Sequence, residues 1–259
     1  MKANLFRTFA VAGLLLGAPM GVAQAADMPL KAPLKAPVIV PIYNWNGFYI
    51  GLNGGGGWGT KCWDVFFTIR ATTTLLEEGC HHPSGGTFGG QIGYRWQMPS
   101  NFVWGLEAQG NWADFRASNL NNLAGTLFIN GLTDESRVRS FGLFTTQFGF
   151  AWENYLIYLK SGFAVVGDRY STTVGPGGLL IDSASETRWG STVGVGFEYG
   201  LTPNWSIALE YDHLFMGSRN VDAFTPTGVF SATDRIRQDI DIGLVRVNYH
   251  FNMPVIAKF

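Results

Sequence analysis

Between Asn46 and Phe251 the chain divides into eight stretches of alternating apolar and polar residues, separated by gaps that are alternately very short and very long. Alternation with period two marks strands whose two faces meet different surroundings. Gaps of alternating length imply an up-and-down antiparallel order, with every tight turn at one end and every long connection at the other. A closed barrel in a bilayer satisfies both rules, because every second side chain must face lipid while the others fill the interior.

The spacing predicts strands near residues 46–58, 87–96, 102–114, 138–152, 155–167, 187–199, a seventh from Trp205 and an eighth over 238–251. The sixth is the clearest: Trp189, Val193, Val195, Phe197 and Tyr199 alternate with Arg188, Thr192, Glu198 and glycines. Parity weakens at Phe141 and Leu143, and again above Leu244, where a bulge would restore it. Turns are expected at residues 97–101, 153–154 and 200–204. The gaps over 59–86, 115–137, 168–186 and 216–237 then become surface loops, and the short turns, with both termini, face the periplasm.

Parity alone does not say which face is inside. A water-soluble eight-stranded carrier would bury the apolar face. The charges separate the two cases: Arg95, Glu107, Lys160, Arg188, Glu198, Glu210, Asp212 and Arg246 all fall on the face opposite the aromatics. Trp and Tyr also recur at strand ends, as in Tyr94, Trp96, Trp152, Tyr155, Tyr199, Trp205 and Tyr249, where amphipathic rings suit a membrane interface. The fold class expected is all-β, an eight-stranded antiparallel up-and-down transmembrane β-barrel, with the charges paired inside it.

The N-terminus carries Lys2 and Arg7, then a short apolar run over residues 9–17, then Ala23-Gln24-Ala25. That order predicts a signal peptide over residues 1–25 rather than a retained anchor helix. Residues 26–45 follow as a leader with Pro29, Pro33, Pro37 and Pro41 at four-residue spacing, which favours polyproline II and opposes strand pairing. The barrel is assigned to 46–251 and a tail to 252–259. Aromatic residues at 15% and 34 glycines suit strands and turns, and the net charge of −1 gives no support to nucleic-acid binding.

The Ala-Asp-Met-Pro-Leu-Lys-Ala-Pro leader, the opening strand from Trp45 to Gly51 and the closing strand from Val245 to Phe251 resemble the small outer-membrane β-barrel proteins of alphaproteobacteria often labelled "porin family". The resemblance spans essentially the whole mature chain. It implies a barrel similar to the membrane domain of OmpA, abundant at the cell surface, in contact with outer-membrane lipid and lipopolysaccharide and inserted by the barrel assembly machinery. In such proteins the chain usually stops at the closing aromatic. Here it continues to Phe259, so the assembly signal is either internal, on Val247, Tyr249 and Phe251, or at Phe259; Pro254 favours the internal one.

Cys62 and Cys80 share the first long connection, and an exported pair is most simply a disulfide. Cys80-His81-His82 beside Cys62 offers a metal or haem site instead, although adjacent histidines lack a recognised ligand spacing. The runs Gly54 to Gly57, Gly85-Gly86 and Gly89-Gly90 are followed by no helix, so they make no phosphate loop. His82-Pro83-Ser84 bears a faint likeness to the His and Ser of a lipid A deacylase, and Tyr211-Asp212-His213 sets an acid beside a base. Neither brings nucleophile, base and orienting acid into register. The expectation is a non-enzymatic surface barrel without cofactor or metal, with a narrow solute pore as the alternative.

Overall fold

The computed structural model of the chain describes residues 43–69, 72–120, 132–174 and 178–251. The signal-peptide expectation, most of the leader and the 252–259 tail lie outside these residues. Nine strands follow in order: β1 Gly47–Ile69, β2 Thr72–His81, β3 Ser84–Gln97, β4 Phe102–Leu120, β5 Leu132–Trp152, β6 Tyr155–Val174, β7 Leu179–Thr202, β8 Trp205–Phe224 and β9 Phe230–Phe251. Eight of them make the ring, in the order β1-β3-β4-β5-β6-β7-β8-β9, and β9 closes it against β1. β2 pairs with β1 alone. Closure leaves the ring without an edge, which a lipid-facing sheet requires because unpaired backbone groups have no water there.

The tight turns fall where expected. Asn101 and Glu153 adopt positive φ (66° and 52°) in the β3–β4 and β5–β6 turns, and Pro203 and Asn204 separate β7 from β8. Phe88, Trp112, Phe148, Leu159, Phe163 and Leu209 are among the large apolar side chains left exposed on the outer face. Aromatic pairs gird its lower edge: Trp96 and Trp104 stacked at 4.5 Å, Trp152 and Tyr155 stacked at 5.5 Å, and Trp205 and Tyr249 edge to face at 5.1 Å. From Tyr199 up to Trp189 on β7 is about 33 Å along the strand, or about 25 Å of height at a tilt near 40°, the thickness of the apolar band of such barrels.

Two expectations need correction. The strands do not stop where their outer faces cease to be apolar. β1 and β9 stay paired from Phe48 with Phe251 up to Val65 with Asp234, and β5 and β6 from Trp152 with Tyr155 up to Leu132 with Val174. Most of the four assigned surface loops is therefore strand, since a ladder satisfies the backbone whatever the side chains carry. The bulge expected in β9 above Leu244 is absent between Asp234 and Phe251, where its register with β1 is unbroken. Phe141, Leu143, Ile240, Ile242 and Leu244 instead point inward and pack with Phe115, Val138 and Leu214 in an apolar layer. At the end of the leader, Tyr43 and Trp45, 5% and 0% exposed, enter the periplasmic mouth of the barrel. The Trp45 amide donates to Gln97 Oε1 at 2.9 Å and the Tyr43 amide to Asn154 Oδ1 at 3.3 Å.

Candidate functional site: the charged interior

Inward-facing positions of β3 to β9 bring the eight charged residues singled out from the sequence into the barrel, all buried. They form separate groups. Nearest the periplasm, Arg95 Nη2 lies 2.9 Å from Glu198 Oε2 and its Nε donates to Gln147 Oε1 at 3.0 Å. The guanidinium also sits 4.5 Å from the Tyr49 ring and 5.2 Å from the Tyr158 ring, close enough for cation–π attraction. Glu198 accepts from Ser206 and from Asn248 Nδ2, the latter at 2.9 Å, and lies 3.3 Å from His250 Nε2.

One layer further out, Lys160 Nζ reaches Glu210 at 2.9 Å, Asp212 at 3.4 Å and Glu107 at 3.5 Å. Arg246 bridges Glu107 and Glu210 with its two terminal nitrogens. These five side chains come from β4, β6, β8 and β9, so they join opposite walls across the interior. A buried charge persists only when paired and hydrogen-bonded; Glu107, Glu210, Lys160 and Arg246 are both, whereas Asp212 has only its ion pair with Lys160.

Two tyrosines support the carboxylates by the same device. Tyr49 is paired across strands with Gly93 and Tyr158 with Gly196. A Cβ on either glycine would come within 2.5 Å of the facing ring. Each ring lies flat over its glycine and donates its hydroxyl to a carboxylate, Tyr49 to Glu107 at 2.6 Å and Tyr158 to Glu210 at 2.7 Å. Above them an amide layer follows, with Asn53 donating to Gln91, Gln91 to Asn248 and Asn111 to Asn53.

Arg188 does not join Lys160 and Arg246. It sits beyond the apolar layer, 3.6 Å from Glu186 and donating to Gln238 and the Ile236 carbonyl. Beside it is an ion pair the sequence reading missed, Lys61 to Asp168 at 2.6 Å with both side chains fully buried. Lys61 continues the parity of Tyr49 and Asn53, and Asp168 that of Tyr158 and Lys160; extending each strand by a few residues would have found both.

Cys62 and Cys80 are joined, facing each other across the β1–β2 pair. His81 Nε2 lies 2.8 Å from Ser136 Oγ and His82 Nδ1 lies 3.3 Å from Thr60 Oγ1, so the neighbouring histidines are engaged elsewhere. Asp212 and His213 point to opposite faces of β8. On the outer face, Tyr211 and His213 instead meet Asp241 at 2.5 and 2.6 Å. Val247, Tyr249 and Phe251 lie on the outer face of β9, beside Leu52, Ile50 and Phe48 of β1.

Residues 12–252 match the outer membrane protein beta-barrel domain family. The chain belongs to that family, and its place is the cell outer membrane. It is 29% identical over 205 residues to a 31 kDa outer-membrane immunogenic protein of Brucella melitensis, a match covering 77% of this chain and 83% of that protein. Among solved structures it is similar to the outer membrane protein OprG from Pseudomonas aeruginosa, at 13% identity and a TM-score of 0.47, over 82% of this chain and 99% of that one. It is also similar to the outer membrane protease OmpT from Escherichia coli, at 9% identity and a TM-score of 0.49, with the same coverage.

Proposed function

We propose that this chain is a non-conducting, non-enzymatic surface barrel that contributes to the envelope and presents its long ladders to the exterior. The observation that carries this reading is the group Lys160, Arg246, Glu107, Glu210 and Asp212, whose side chains are fully buried and tie β4, β6, β8 and β9 together across the interior. An eight-stranded ring is just wide enough for side chains to fill, whereas aqueous channels belong to barrels of about sixteen strands. The apolar layer of Phe141, Leu143, Ile242 and Leu244 lies above the charges, and Trp45 below them. A solute would have to displace all three. The lipid contacts, the assembly machinery and any surface partner remain part of the same proposal.

Planar-bilayer recording of the purified barrel tests it. The expected trace is flat at physiological salt. Steady nanosiemens openings, with passage of small sugars into liposomes, would replace this reading with the narrow pore.

A further inference from the structure

The stretch that carries Tyr43 and Trp45 does not hug the foot of β1, where it joins the barrel. Gly47 at that foot is in register with Arg95 of β3. From there the chain reaches back across the mouth to the opposite wall. β6 lies farthest from β1 in the ring, reached through β3, β4 and β5 one way or through β9, β8 and β7 the other. Asn154, in the turn before β6, accepts the Tyr43 amide on Oδ1 at 3.3 Å, and its own carbonyl accepts the amide of Gly200 on β7 at 2.8 Å. The Tyr43 ring lies over Gly200, where an added Cβ would come 2.1 Å from Cδ2 and 2.6 Å from Cγ and Cε2.

Trp45 is held in the middle of the mouth. Its amide donates to Gln97 Oε1 at the end of β3, and it packs with Tyr43 in one buried cluster with Val103 of β4, Ala151 of β5, and Leu156 and Tyr158 of β6. His250 of β9 meets both rings edge to face, at 5.5 Å from Tyr43 and 5.8 Å from Trp45. The seat is therefore built from β3, β4, β5, β6, β7 and β9 together. No hairpin or half-barrel contains it, and it exists only when β9 has met β1.

We propose that residues 43–46 are a closure-dependent clasp. They precede every strand in the chain yet dock after all of them, and once docked they tie the foot of β1 to the far wall and resist reopening of the β1–β9 seam. Contacts that form after the folding transition state slow unfolding without speeding folding. The clasp thus contributes kinetic stability, which a spacer that merely trailed from the barrel would not.

Folding of the purified chain into lipid vesicles and unfolding in urea, each timed by the compact band on unboiled gels, read the two rates separately. Y43A/W45A should unfold at least about a hundredfold faster, the equivalent of about 2.8 kcal/mol, and fold within about twofold of wild type. G200A leaves the leader intact but sets a methyl group where the Tyr43 ring lies, and should unfold about tenfold faster. Added to Y43A, it should leave the unfolding rate within about twofold, because the two changes act on one contact. Slowed folding of Y43A/W45A, or failure to reach the compact form, would place docking before closure and overturn the proposal. Unchanged unfolding in both variants overturns it too. If G200A speeds unfolding equally with and without Tyr43, the glycine acts independently of the ring and the seat is refuted.

Discussion

Replacing Glu198 by Gln isolates one buried charge with little change of shape. Arg95 would keep Gln147 and the Tyr49 and Tyr158 rings but lose its only carboxylate among the described residues. At 2.9 Å the lost attraction is about 6 kcal/mol for an effective dielectric of about 20. The retained rings contribute equally before and after and cancel, while a glutamine carbonyl still accepts from Arg95, so the expected cost is below that upper figure, in the range of about 3–5 kcal/mol found on breaking buried pairs. Glu210→Gln removes a carboxylate with closer partners, yet leaves Lys160 and Arg246 with Glu107 and Asp212, two cations against two anions. It should cost less, below about 2 kcal/mol, as the loss of hydrogen bonds to charged groups. The double change Arg95→Met with Glu198→Leu should recover most of the stability, because an apolar pair of similar volume avoids the desolvation of both ions. Urea titration of barrels refolded into lipid vesicles, followed by tryptophan fluorescence, measures all three. Equal costs for Glu198→Gln and Glu210→Gln, or a double variant weaker than Glu198→Gln, would refute the argument from charge balance.

Because β1 and β9 close the ring, the purified protein should run compact on unboiled detergent gels and shift on boiling; identical migration would count against closure. Gly196→Val should push Tyr158 off its seat, uncouple its hydroxyl from Glu210 and destabilise the barrel by about 1–3 kcal/mol, read by the same urea titration. A neutral result would mean the ring has room to move. Non-reducing peptide mapping should recover one cross-linked pair, through Cys62 and Cys80; two free thiols would contradict the fold of the β1–β2 hairpin.

Legibility followed solvent contrast. Inside the bilayer each strand separates lipid from interior, so Trp189, Val193 and Val195 against Arg188, Thr192 and Glu198 reveal both strand and facing. Above the bilayer both faces carry polar groups, the contrast fades, and Lys61, Asp168 and Glu186 were left in presumed loops although the ladders continue through them. Phe141, Leu143 and Ile242 blur the pattern for the opposite reason: apolar residues lie on both faces there, because the interior changes from ionic to apolar partway up. The Tyr–Gly seats are visible in the sequence only once register pairs Tyr49 with Gly93 and Tyr158 with Gly196.

Register also sets Arg116, Arg137 and Arg169 in one row across β4, β5 and β6. Arg116, Arg137 and Arg169 are more than twenty residues apart in sequence, and bulges after Trp112 and after Val138 shift their strands before they meet. Counting from the turns without those bulges misaligns the row, so composition shows scattered basic residues where the ladder shows one file. At either end of the file the ladder sets an uncharged serine, Ser84 opposite Arg116 and Ser185 opposite Arg169.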